Sequence, residues 1–95
     1  MQKKLLVIIK DKHQQYEGLR SSLGALLEIS DVEMVVLDHE IEMHDAYKEN
    51  MEFFDEMEGK RYSNNKANIE KYGFLPITLE ELAEKVKKAD IVIPF

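Results

Sequence analysis

The chain has no cysteine, which removes disulfides, thiolate metal sites and any thiol or persulfide nucleophile from consideration. Basic residues are in the minority: 13 Lys and Arg against 19 Asp and Glu leave a formal net charge of −6. Phosphate backbones are bound by clustered cations, whereas here the cations are interleaved with acids. The densest stretch, Lys85-Val86-Lys87-Lys88, falls in the last turns of a predicted helix, where positive charge complements the helix dipole. No nucleic-acid partner is expected. Long apolar runs are also missing. Behind Lys3-Lys4 the first run covers only Leu5–Ile9, too short for a signal-peptide core and far short of the roughly 20 residues of a membrane span. The expectation is a cytoplasmic protein with no membrane partner. The few glycines form no dinucleotide fingerprint, and there is no phosphate loop, Gly-x-Ser-x-Gly elbow, internal repeat, linker or low-complexity tract.

What is present is a regular alternation of apolar strands and amphipathic helices. With 44% hydrophobic and 34% charged residues over 95 positions, the composition predicts one globular domain, residues 1–95. Leu5–Ile9 is continuously apolar and β-branched, as expected of a strand buried on both faces. Tyr16, Leu19, Leu23, Leu26 and Leu27 then recur at helical spacing. A second strand over Val32–Leu37 is followed by a helix with Tyr47, Met51, Phe54 and Met57 on its apolar side and Phe53 off that stripe. Gly59 is expected to end this helix as a left-handed cap. A short strand, Lys60–Ser63, precedes a small helix stopped by Gly73. Thr78 and Glu81 have capping-box spacing, and the helix they start is expected to bury Leu82, Ala83, Val86 and Ala89. Ile91–Ile93 is the fourth strand. Strands joined by helices of this length make right-handed crossovers. The predicted fold is a three-layer α/β/α sandwich on a mostly parallel four-stranded sheet. Strand order 2-1-3-4 places the most apolar strand inside.

In open parallel sheets ligands collect at the carboxyl ends of the strands. Those ends carry Asp11 and His13, then Asp38, His39 and Glu40, then Ser63, Asn64 and Asn65. The candidate ligand-binding set is Asp11, His13, Tyr62, Ser63, Asn64 and Asn65, with Ser or Asn equally suited to capping the short helix that follows. Asp38, His39 and His44 offer imidazole and carboxylate donors of the kind that bind zinc, although His39 and His44 match no standard ligand spacing. A serine hydrolase using Ser63 with His13 or His39 lacks any elbow to expose the serine. Gly18 and Gly24, both within the first helix, suggest close packing against another helix or a neighbouring subunit.

The run Gly18-Leu19-Arg20-Ser21-Ser22-Leu23, the strand Lys60-Arg61-Tyr62-Ser63 before a small helix ending in Tyr72-Gly73-Phe74, and the close Ala89-Asp90-Ile91-Val92-Ile93-Pro94-Phe95 together resemble the DsrE/DsrF-like family of small sulfur-relay proteins, which includes the TusBCD type. The resemblance implies a DsrE-like, flavodoxin-like fold and a tendency to form oligomers. In active members a cysteine just after the third strand carries sulfur as a persulfide. The matching stretch here is Ser63-Asn64-Asn65-Lys66-Ala67, and a hydroxyl cannot take the role of a thiolate. The resemblance therefore implies a non-catalytic member, needing no cofactor, that serves as an assembly subunit in a homo-oligomer or beside other DsrE-like subunits. The helix with Phe53, or the one with Gly18 and Gly24, is the expected contact. A small-ligand or metal-binding enzyme using the strand-end histidines is the competing expectation.

Overall fold

The computed structural model describes residues 3–95. Its elements, in chain order, are β1 (Lys4–Ile9), α1 (Gln15–Ala25), β2 (Asp31–Val36), α2 (Asp45–Glu56), β3 (Lys60–Ser63), α3 (Lys66–Tyr72), β4 (Leu75–Pro76), α4 (Leu79–Lys88) and β5 (Ile91–Pro94), with a 3-10 turn at Lys12–Gln14. The five strands form one sheet in the order β4-β3-β2-β1-β5, and every pairing is parallel.

The expected order 2-1-3-4 is corrected. β1 lies between β2 and β5, and β3 pairs with β2. Apolarity did not discriminate between the first two strands, because Val32 to Val36 is buried throughout, as β1 nearly is. The extra strand, β4, is only two residues long and half proline, which leaves no periodicity to read.

The chain steps from β1 to β4 in one direction and then crosses back to the far side of β1. Right-handed crossovers therefore place α1, α2 and α3 on one face of the sheet and α4 on the other. The thicker side packs Leu5, Val7, Ile9, Met34 and Val36 against Leu19, Tyr47, Met51 and Phe54. The thinner side holds only Leu6, Val35, Leu37, Ile77 and Leu82 at its buried centre. β1 thus feeds both cores with alternate residues, the physical reason its sequence is apolar without interruption.

Local signals place most helix ends. Thr78 Oγ1 accepts from the Glu81 N–H while the Glu81 carboxylate accepts from the Thr78 N–H, closing the capping box. Gly73 ends α3 in the left-handed region at φ 72°. Gly59 does not play that part for α2. The left-handed residue there is Glu58, at φ 67°, and Gly59 is small because a Cβ would overlap the Phe54 ring. On α4 only Leu82 is buried; Ala83 and Val86 are exposed, contrary to the expected buried face. One helix on a five-stranded sheet touches it along a narrow line, so half of its apolar stripe has nothing beneath it.

Candidate functional site

Ser63 closes β3 and is fully buried. Its hydroxyl donates to the Val36 carbonyl at 2.7 Å and accepts from the Asn65 N–H and from Asn68 Nδ2 at 3.0 and 3.1 Å. The hydroxyl proton is therefore committed to a backbone carbonyl and has no imidazole to receive it, so the serine is not set up as a nucleophile. Asn65 is the N-cap of α3, its Oδ1 accepting from the Ala67 and Asn68 N–H groups.

Asn68, which the sequence did not single out, is the hub. It is fully buried. Its Oδ1 accepts from the Ile41 N–H at 2.8 Å, and its Nδ2 donates to the His39 carbonyl at 2.9 Å as well as to Ser63. Asn64 and Asp38 are joined next to it, at the surface. The Ser63–Asn65 loop is thus stitched to the loop after β2 by the Asp38–Asn64 pair at the surface and, inside, by Ser63 and Asn68, whose polar groups are turned to protein partners. A polar residue on the inner face of a short helix is the signal that would have pointed to Asn68.

The remaining candidates are spread over other places. Asp11 caps the 3-10 turn through the His13 N–H at 2.9 Å. His13 lines an open cleft of about 380 Å³ with Lys12, Gln15, Tyr16, Glu42 and His44. Gln15 fixes one wall, giving its Nε2–H to the Glu42 carbonyl and accepting the Glu42 N–H. His44 is the N-cap of α2, its Nδ1 accepting from the Tyr47 N–H at 3.1 Å, with the Tyr16 ring edge-on at 5.3 Å. His39 turns its Nδ1 to the Leu37 carbonyl at 3.0 Å, and its Nε2 is buried without a protein partner. The structure brings His13 and His44 to one cleft and leaves Asp38 and His39 outside it. Among the described residues no three His, Asp or Glu side chains converge as metal ligands.

Tyr62 points away from the Ser63 loop because alternate strand residues face opposite sides of the sheet. Its hydroxyl donates to Glu33 Oε2 at 3.0 Å, and Lys85 Nζ lies 4.3 Å from the ring centre and 3.0 Å from the same carboxylate oxygen. Burial, then the hydrogen bond and charge of Glu33, raise the Tyr62 pKa. This triad ties α4 to β2 and β3.

An apolar concavity lies elsewhere, between α1 and α2. A groove of about 370 Å³ is lined by Leu23, Gly24, Leu27, Phe53 and Met57 together with Arg20 and Asn50. Leu27 is 77% exposed and Phe53 54%. Leu27 was expected within the helical core stripe; α1 ends at Ala25 and the following turn carries Leu27 outward. A Cβ on Gly24 would meet nothing within 4 Å.

None of the described helices is long and apolar enough to cross a membrane. Comparison of the chain with protein-family models, curated proteins and solved structures gives no match.

Proposed function

We propose that this chain is a non-catalytic, DsrE-like domain that works as a binding or assembly subunit, with the resemblance linking it to sulfur metabolism. The observation that carries the reading is the α1–α2 groove. Two large apolar side chains, Leu27 and Phe53, stand beside a floor kept open by Gly24. Exposed apolar surface of this kind marks protein contact. The groove takes a neighbouring subunit, a second copy or another DsrE-like chain. The strand end where active members of that family keep their thiol holds Ser63, buried and fully hydrogen-bonded, which supports assembly over sulfur transfer.

Sedimentation at tens of micromolar tests the homo-oligomer. Species heavier than the 11.1 kDa chain are expected, and Phe53→Lys is expected to reduce their size. A single 11.1 kDa species at all concentrations overturns that part of the reading. The cleft shared by His13, His44, Lys12 and Glu42 favours one second reading, a small-ligand or metal-binding enzyme. Native mass spectrometry with metal analysis on untagged protein separates the two. Stoichiometric zinc or nickel supports the enzyme, and a metal-free oligomer supports the assembly subunit.

A further inference from the structure

α4 presents more apolar surface than the sheet beneath it covers. Leu79 is 69% exposed and Val86 41%, and Ala83 between them is exposed as well. Their spacing, i, i+4 and i+7, puts the three on one stripe. Lys85 fixes which way the stripe looks. Its ammonium sits on Glu33 of β2 and over the Tyr62 ring of β3, so that flank of the helix faces β2 and β3. At about 100° per residue, Val86, Leu79 and Ala83 lie roughly 100–160° further round the axis. That is the flank turned toward β5. Val92, in register with Leu6 and so on the α4 face of the sheet, is 37% exposed there.

The charges beside this stripe are segregated along the helix. Glu80, Glu81 and Glu84 occupy the first half, and Lys85, Lys87 and Lys88 the second. Glu81 is taken by the capping box and Lys85 by Glu33. Lys87 lies 3.6 Å from Glu84 on its own helix, both side chains well exposed. A surface pair of this kind is worth at most about 1 kcal/mol, so Lys87 can exchange it for an acid outside, and Glu80 and Lys88 also face solvent. A second α4 laid parallel would set acid against acid. Laid antiparallel and centred on Ala83, it sets Glu80 against Lys87 twice, and the small Ala83 side chain lets the two axes approach closely. Only this chain's own sequence guarantees that match. The free edge of β5 is a poor competing mode of self-pairing, because one of its outward positions is a proline. Phe95 N–H bonds to the Ile8 carbonyl where Pro94 is the register partner of Ile8. The proline nitrogen therefore faces outward, with no proton to offer.

We propose that the chain pairs with a second copy through α4, antiparallel about a two-fold axis passing near Ala83. Leu79, Val86 and Val92 form the apolar centre, and Glu80 faces Lys87 of the partner subunit on both sides. Such an interface is isologous and small, with a dissociation constant on the order of micromolar. It uses the face opposite the α1–α2 groove and stands whether or not the groove binds a subunit.

Because the chain lacks cysteine, Ala83→Cys supplies a single thiol at the proposed axis. Diamide takes up the two electrons and two protons that a pair of thiols releases on forming a disulfide. At micromolar protein most of this variant is expected to become a covalent dimer, while Lys66→Cys, exposed on α3, stays monomeric over the same time. In parallel, Glu80→Lys or Lys87→Glu alone is expected to weaken self-association about tenfold, two like-charge contacts being created per dimer. The double variant with both changes is expected to return to within about threefold of the wild type. Circular dichroism checks that each variant is folded. Ala83→Cys crosslinking no faster than Lys66→Cys, or a double variant no better than either single one, overturns the proposal. Self-association that responds to Phe53→Lys but not to the α4 reversals does so as well, and leaves the groove reading intact. If association survives Phe53→Lys and falls with the reversals, α4 stands and the groove is not the site of self-contact.

Discussion

Asp38 and Asn64 hold each other across the ends of β2 and β3: Asn64 Oδ1 accepts the Asp38 N–H at 2.8 Å, and Asn64 Nδ2 donates to Asp38 Oδ1 at 2.9 Å. The clasp matters because Asp38 has a φ of 68°, a left-handed conformation that L-residues adopt at a cost and that Asp tolerates through local hydrogen bonds of its side chain. Immediately below it, Asn68 ties the same two loops together from inside. The carboxyl edge of the sheet is therefore a structural joint.

Two substitutions measure that joint. Asn64→Ala is expected to cost about 1 kcal/mol, since its partners can turn to water. Asn68→Ala is expected to cost about 2–4 kcal/mol, because it leaves the Ile41 N–H and the His39 carbonyl without their buried partner. Urea unfolding at neutral pH gives both values. An Asn68→Ala loss no larger than that of Asn64→Ala would show that the hub is not the stronger element.

The two glycines of α1 are expected to answer in opposite senses. Gly24→Ala adds a Cβ to open space and gains helix propensity, about 0.5–1 kcal/mol. Gly18→Ala would place its Cβ 2.5 Å from Ile9 Cδ1, on a side chain that is itself fully buried, and overpacking of that kind costs about 1–3 kcal/mol. Thermal melts should move up for the first and down for the second. Within the chain, the close packing expected of these glycines is found at Gly18, where it is against a strand, whereas Gly24 opens onto the α1–α2 groove.

Stability is expected to fall in alkali. Burial raises the Tyr47 pKa, and Tyr62 is raised by burial and by Glu33. For Lys85 burial acts downward, but the hydrogen bond and charge of Glu33 outweigh it and the pKa is raised. All three groups hold protons more tightly when folded. Their contribution is complete below their unfolded values, near pH 10, and is lost as pH rises through the folded ones. Glu33→Gln removes the partner shared by Tyr62 and Lys85. The gap in melting temperature between wild type and this variant is expected to narrow above about pH 10. A gap that stays constant from pH 8 to 11 would show that the triad is not linked to protons.

Both prolines of the chain guard a sheet edge. Ile77 N–H bonds to the Ser63 carbonyl where Pro76 is the register partner of Ser63. Pro76 therefore turns its nitrogen outward on β4, as Pro94 does on β5. Pro94→Val restores an outward N–H directly after Ile91–Ile93, an uncharged β-branched run, and is expected to raise light scattering on concentration or heating. Pro94→Lys, which adds a charge along with the N–H, should scatter less than Pro94→Val. Equal behaviour of wild type and Pro94→Val would remove the guarding role.

How far the sequence alone reached depends on the range of the interaction concerned. The β1 run, the Thr78–Glu81 box, the Gly73 stop and the cap at the Ser63–Asn65 loop were all legible, because each is decided by residues within a turn or two of one another. Tertiary structure decided the rest. Strand order was set by where each crossover lands, and β1 and β2 are too alike in apolarity to reveal it. Gly59 reads as a turn residue, yet it is small because the Phe54 ring lies over it. Asn68 acquires its role only when two loops far apart in sequence meet at the sheet's edge. Ala83 and Val86 read as core beside Leu82 and Ala89, and periodicity does report their apolar character. Whether a stripe is buried depends on how much sheet lies under it, and a single helix laid over β1, its Lys85 flank turned to Glu33 and Tyr62, leaves the other flank of α4 in solvent.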